Sequence, residues 1–378
     1  MLCQLAPKAW GVSVGVYLTH SHPGVYERLV ERAKLDGARC QLVSSREEAD
    51  IILYIEAPRR YPDARDPLIS LRPRDLARTY VFSQADDPIP WAPGVYASIP
   101  ASRATAAVSG GFYVPPHYGV PGGLTEYLDA VRHVEPDVLW GFAGTVSNHL
   151  VRQQLAALSD ARSLVEDTRF WNDQVRWGWR DRYRREVRTT FSRYAKLMSR
   201  CAFVACPRGV GPSSIRLFEA LEVGRCPVII SDEWLPPSFV DWEACSIRIP
   251  EGRVRELPAI LRAREQEAAV LGAEARRVWE QFFAPERQLN TLAAACLVIR
   301  EQSPRRMVVL GRGLMSSAAK CDARGEKHGS GLRGRVEVRT IHSGSRPGGG
   351  TAIPRTSASN GTTSFRKTMR AKEVHSYA

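Results

Sequence analysis

Between Cys201 and Asp232 the chain reads CAFVACPRGVGPSSIRLFEALEVGRCPVIISD, a short apolar run, a loop with two glycines, a helical stretch and a second short apolar run. Runs that are apolar at nearly every position, not at every second one, do not suit a sheet with one wet face. They indicate parallel strands covered on both sides, with helices as the crossovers. The same alternation recurs upstream. GVSVGVYL (11–18), ADIILYIEA (49–57) and TYVFSQ (79–84) read as buried strands, and Val25, Leu29 and Ala33 mark one face of a helix ending near Gly37. DVLWGFAG (137–144) opens a second series, followed by a helix from about Asn148 that carries Arg152 and a long helical region running to Met198.

Proline- and glycine-rich segments around PIPWAPG (88–94) and PPHYGVPGG (115–123) separate the two series, as a lip or linker between domains does. The chain has 378 residues, 44% of them hydrophobic, enough for two cores. The expected class is therefore α/β, with two Rossmann-like domains facing across a cleft, at 1–130 and 131–302.

The formal charge of +13 is unevenly spread. From Ser303 onward 15 Lys and Arg face 4 Asp and Glu, a net of +11, which leaves +2 for residues 1–302. That tail, 303–378, is rich in Gly, Ser, Thr and Arg without a sustained apolar period, so it reads as a disordered basic segment. It is either an arm for membrane lipid or nucleic acid, or a segment with no specific role. The near-neutral body argues against a nucleic-acid channel, and the tryptophans of FWNDQVRWGWRDRYRR (170–185) read better as core packing than as base-stacking platforms. At the N-terminus, WGVSVGVYL is too short for a signal peptide or membrane helix, so the expected location is cytoplasmic, with peripheral contact at the inner membrane face through the tail. The eight cysteines are scattered without paired spacing and read as reduced core thiols, not zinc ligands.

The loop after CAFVAC holds the chemistry. Gly209 and Gly211 free the backbone to turn, Ser213 is placed to cap the helix SIRLFEALEV beside Ser214, and Gly224 is placed to stop it. A helix N-terminus reached from a glycine loop is a phosphate site. Arg216 in the first turn and Glu219 three residues on share a face. A guanidinium there forks onto phosphate oxygens, and a carboxylate one turn deeper accepts hydrogen bonds from a ribose diol. The bland alternative is a surface ion pair on an ordinary helix. A rival reads Gly209-Val-Gly211-Pro-Ser-Ser214, with Asp232 at the end of the next strand, as a dinucleotide fingerprint of an NAD(P)-binding oxidoreductase; Ser214 stands where that pattern wants its third glycine.

The run Ser199–Glu251 combines Cys-Pro-Arg-Gly, Ser-x-Arg-Leu-x-Glu-Ala-Leu, Gly-x-x-Pro-Val-Ile-Ile and Leu-Pro followed by Asp-Trp. In that order it resembles the exostosin-type glycosyltransferases, glycosyltransferase family 47. VFSQADDPIPWAPGVYASIP and LWGFAGTVSNHLVRQQL are similar to the family as well, which extends the resemblance to about residues 10–300. The resemblance implies a GT-B fold and an inverting transfer from a nucleotide-sugar donor, expected to be a UDP-sugar, to a glycan acceptor in polysaccharide or glycoconjugate synthesis. It implies no cofactor and no metal. It also implies that Arg216 meets the diphosphate, Glu219 the ribose, and Arg208 with Gly209, Gly211, Ser213 and Ser214 the phosphate side. A non-catalytic glycan- or nucleotide-binding homologue remains open, as does the oligomeric state.

An inverting displacement needs a group to take the acceptor proton. Asp86 and Asp87, just after TYVFSQ, stand at a strand's carboxyl end and are the first candidates, although Asp-Asp-Pro is also a common turn; His117 in VPPHYG is the next. His20 and His22 in THSHP also fall in a loop after a strand. Arg152 either adds to the leaving-group charge or is a solvated surface arginine.

Overall fold

The computed structural model describes residues 14–20, 23–34, 40–56, 73–114, 123–169 and 184–303. In the first half, β1 (Val14–His20), β2 (Cys40–Leu42), β3 (Ile51–Ile55), β4 (Thr79–Ser83), β5 (Gly94–Tyr96) and β6 (Val108–Gly110) form one sheet in the order β2-β1-β3-β4-β5-β6. Every pairing is parallel. β3 and β4 are buried at every residue, and alternate side chains go to opposite faces. Ile51, Leu53, Ile55 and Phe82 enter one apolar cluster, while Tyr54, Val81 and Tyr96 join Trp91 and Ile99 in another. That two-sided burial is what the unbroken apolar runs require.

The second sheet is built from β7 (Val138–Gly144), β8 (Ser163–Asp167), β9 (Cys201–Pro207), β10 (Cys226–Ile230) and β11 (Ile247–Arg248), in the order β11-β10-β9-β7-β8 and again all parallel. Counted from its own first strand, the second sheet runs 2-1-3-4-5, the flavodoxin-like doubly wound order, and the first runs the same way with a sixth strand added, 2-1-3-4-5-6. In the second sheet the winding reverses between β7 and β9, so the crevice beyond their carboxyl ends is where such a fold receives a ligand. Two Rossmann-like sheets within one compact unit are the expected GT-B plan.

The helices α1 (Pro23–Arg32), α2 (Leu124–Val131), α3 (Leu150–Ala156), α4 (Arg184–Arg200), α5 (Ile215–Val223), α6 (Trp242–Cys245), α7 (Leu257–Ala263), α8 (Ala268–Val278) and α9 (Gln288–Gln302) surround them. Two helices pack across the halves drawn at 1–130 and 131–302. α2 packs on α4 and α5 of the second half, whereas α9 returns to α1, β2, β5 and β6 of the first. The anchors of α9 are polar and buried: Gln288 accepts from the Arg32 guanidinium, and Asn290 Oδ1 accepts the Cys40 amide at 2.9 Å. A helix that bonds across 250 residues of sequence carries no local mark of which sheet it will cover.

The halves are joined by packing and by backbone bonds. Phe112 of the first half meets Phe283 at 5.3 Å, and Phe283 meets Phe218 of α5 at 5.2 Å between ring centroids. Beyond the strand ends, Pro100 and Trp234 form an antiparallel bridge, flanked by Ala101 N–H on Glu233 O at 2.6 Å and Leu235 N–H on Ile99 O at 3.1 Å. No helix among the described residues is long and apolar enough to cross a membrane. The six described cysteines are buried and unbridged, and burial pushes their thiols upward where a shift is seen. The segment 304–378, His22 and the tryptophans at 171, 177 and 179 lie outside the described residues.

Candidate functional site

α5 is placed by its apolar positions. Leu217, Phe218, Ala220, Leu221 and Val223 are buried, each large side chain contributing about 1.5–3 kcal/mol, and Gly224 stops the helix in the left-handed conformation at φ 74°. At the other end the cap is Ser214, not Ser213: Ser214 is extended at φ −135°, ψ 128°, and its side chain makes no capping bond. Its hydroxyl is buried without a hydrogen-bond partner among the described residues. Ser213 instead faces the first half, with its amide donating to Ser98 Oγ at 3.1 Å and its hydroxyl beside that of Tyr113. Of the first-turn amides, Leu217 N–H is bound to Ser214 O at 3.2 Å, while those of Ile215 and Arg216 have no intrahelical acceptor, so an unbonded buried hydroxyl stands at the positive end of a nine-residue helix.

Neither glycine of the loop turns through left-handed backbone; among the described residues Gly224 alone has positive φ. Their small size serves close approach. A Cβ on Gly209 would lie 2.9 Å from Arg152 Nη2, and one on Gly211 would lie 1.9 Å from the carbonyl oxygen of Asp86. Gly211 is thus where the second half's loop meets the backbone after β4.

Arg152 is not a solvated surface arginine. It is 3% exposed, and it donates to Arg208 O at 2.8 Å, Thr145 O at 3.2 Å and Pro207 O at 3.4 Å, with Phe142 under its guanidinium. It therefore braces the loops after β7 and β9 against each other. Burial and the neighbouring Arg216 both work against its charge, while Asp86 favours it. Its pKa is lowered to about 9, still above neutrality, and with three carbonyl bonds it stays cationic at neutral pH.

Arg216 reaches back from the first turn of α5 to the end of β7, where its Nε donates to Ala143 O at 2.5 Å. Glu219, one turn deeper, is buried and accepts the hydroxyl of Tyr194 from α4. The two side chains do not pair as a surface ion bridge, since each is bound to a different element at the β7–β9 reversal. Arg208 sits on the other side of the loop. Its Nη1 lies 3.1 Å from Glu233 and 3.5 Å from Glu251, and its Nε is buried without a partner among the described residues. His149, which the sequence reading passed over, caps α3 by accepting Val151 N–H on Nδ1 at 3.3 Å. Burial and then Arg208 lower its pKa, so the neutral ring carries its proton on Nε2. Its only sequence signal was a polar residue ahead of a helix.

Of the base candidates, Asp87 is bound: Arg103 Nη1 lies 2.7 Å from its Oδ1. His117 lies outside the described residues. Asp86 is half-buried, near Arg152 and Tyr113, and no described donor contacts its carboxylate. Burial pushes it up to about 6, with Arg152 pulling the other way. His20 ends β1 with its ring 4.4 Å from that of Tyr26. Asp232, the acid of the dinucleotide reading, already accepts the Glu251 amide at 3.1 Å.

Residues 132–264 match the Exostosin GT47 domain. The chain is similar to Exostosin-1 of Drosophila melanogaster, 30% identical over 114 residues, 29% of this chain and 15% of that one. It is also similar to a probable glucuronosyltransferase of Oryza sativa subsp. japonica, 35% identical over 155 residues, 39% of this chain and 33% of that one. The matched segments thus span a third or less of these relatives. The crystal structure of Anabaena HepE with UDP-glucose aligns over 81% of this chain and 99% of its own, at 13% identity and a TM-score of 0.32. The match over residues 132–264 takes in the second sheet and the loops that carry Arg152, Arg208, Arg216 and Glu219, and that segment is exostosin-like.

Proposed function

We propose that the protein is an inverting glycosyltransferase that moves a sugar from a UDP-sugar to a hydroxyl of a glycan acceptor, working in the cytoplasm without a metal or cofactor. The observation that carries this reading is the end of α5: the Ile215 and Arg216 amides at the head of the helix, the buried unbonded hydroxyl of Ser214 and the Arg216 guanidinium, together at the strand reversal between β7 and β9. In this reading the amides and Arg216 bind the diphosphate and stabilise the charge that grows on it as the anomeric bond breaks. Arg152 holds the loop and adds positive potential. Glu219, oriented by Tyr194, takes the ribose hydroxyls, with Tyr194 giving way or sharing the carboxylate. Arg208 and His149 flank the site on the side of Glu251. The name of the rice relative supports UDP-glucuronate as the first donor to try.

A thermal-shift series of the full chain with UDP, GDP, ADP and NAD, followed by an assay of UDP release from UDP-glucuronate and UDP-glucose with oligosaccharide acceptors, tests it. UDP is expected to raise Tm most, and UDP release is expected to depend on acceptor. A shift with NAD alone would favour the oxidoreductase. A shift with UDP but no release from either donor would favour a binding protein.

A further inference from the structure

We propose that Asp86 is the general base of this site, the group that receives the proton of the acceptor hydroxyl. The inference rests on the transferase reading above and assigns the one role that reading leaves empty. Three observations lead to it. Asp86 follows β4 at the carboxyl end of the first sheet, and its backbone carbonyl is the surface against which Gly211 of the phosphate loop is packed, which sets it beside the loop that leads into α5. Its neighbour Asp87, with the same chemistry and one residue away, is committed to Arg103, whose Nη1 also donates to Pro88 O, whereas no described donor occupies the Asp86 carboxylate. The described groups facing it are Arg152 from α3 and Tyr113 from the segment after β6, whose hydroxyl lies beside those of Ser98 and Ser213. The other described acids near the loop are engaged: Glu219 by Tyr194, Glu233 and Glu251 by Arg208, and Asp232 by the Glu251 amide.

A half-buried carboxylate with no donor of its own, held across from a cationic diphosphate cradle, is suited to accept a proton. The step balances without a further reagent. The acceptor oxygen forms a bond to the anomeric carbon, and the bond from that carbon to the diphosphate oxygen breaks with its electron pair going to UDP. The hydroxyl proton passes to Asp86 and then to solvent. Burial favours the protonated acid, which places its titration near pH 6 and makes it a stronger base than an exposed aspartate. Arg152 restrains that rise, so the carboxylate is ionised at neutral pH.

The test compares the full-length parent with Asp86→Asn and Asp87→Asn. UDP affinity is measured by calorimetry, and UDP release from saturating UDP-glucuronate or UDP-glucose with an oligosaccharide acceptor is followed from pH 5 to 8. The parent is expected to lose turnover as pH falls through about 6. Asp86→Asn is expected to bind UDP within about twofold of the parent while turnover falls by roughly 10²-fold or more and the acid limb flattens. Unchanged turnover in Asp86→Asn overturns the assignment, as does a loss of turnover matched by a loss of UDP binding, or the same kinetic signature appearing in Asp87→Asn instead. If the parent binds UDP but releases none from either donor, the transferase reading falls first and the base assignment with it.

Discussion

At the carboxyl end of the second sheet, charged side chains hold one another and the backbone: Arg152 takes three carbonyls, Arg216 takes Ala143 O, Arg208 takes two carboxylates and Glu219 takes a tyrosine hydroxyl. At the matching end of the first sheet the contacts are small and close. Gly211 presses on Asp86 O, Ser98 Oγ accepts the Ser213 amide, and no described donor contacts the Asp86 carboxylate. Both sheets wind in the same order, so topology does not account for the contrast. What differs is the task. A diphosphate needs cations fixed before it arrives, because reorganising them would consume the gain. A proton acceptor needs the reverse, a lone pair left unclaimed.

The contrast is most easily broken at the contact between the ends. Gly211→Ala sets a methyl 1.9 Å from Asp86 O and 2.3 Å from Ser98 Oγ, so the loop or the interface must move. We expect a loss of about 3 kcal/mol or more in urea unfolding. Gly252→Ala, where a Cβ meets nothing within 4 Å, should stay within about 0.5 kcal/mol. Equal effects at both would mean that the halves are not pressed together at Gly211.

A smaller effect sharpens the picture on the buried flank of α5. Glu222 is fully buried beside Thr125, and burial raises its carboxyl to about 8, with Asp129 and Glu219 raising it further and Arg276 opposing. The folded chain therefore keeps a proton that the unfolded chain loses above about 4.5. Stability from this group is complete below that pH and declines as pH rises toward about 8, at up to roughly 1.4 kcal/mol per pH unit. Glu222→Gln should remove most of that decline, which Tm between pH 5 and 8 will show. A parent Tm independent of pH over that range would mean that Glu222 is charged in the fold.

Much of this was legible in the residues. The strands at 51–55, 79–83, 201–207 and 226–230 are long apolar runs, and Gly224 announces the end of α5 because the left-handed cap favours glycine. β5 and β6 were not legible, since three residues each, set among prolines and glycines, give no period to read. Adjacent serines at 213 and 214 are equally good caps by type, and only the contact with Ser98 decides between them. The glycines at 209 and 211 read as turn formers because close approach to a distant backbone leaves no local trace. For the same reason Arg152 read as a surface residue or a phosphate ligand, and α9 read as part of the second half. Whatever is set by one helix or one strand was visible in the sequence. Whatever is set by two distant segments was not.

The central claim is that Arg216 at the head of α5 binds the diphosphate. Calorimetry of UDP binding to the parent and to Arg216→Ala tests it most directly, with urea unfolding of both as a check on the bond to Ala143 O. A charge-assisted contact of this kind is worth about 2 kcal/mol, so the variant should bind UDP roughly 30-fold more weakly while remaining folded. Parent-like UDP affinity in a folded Arg216→Ala protein would contradict the account.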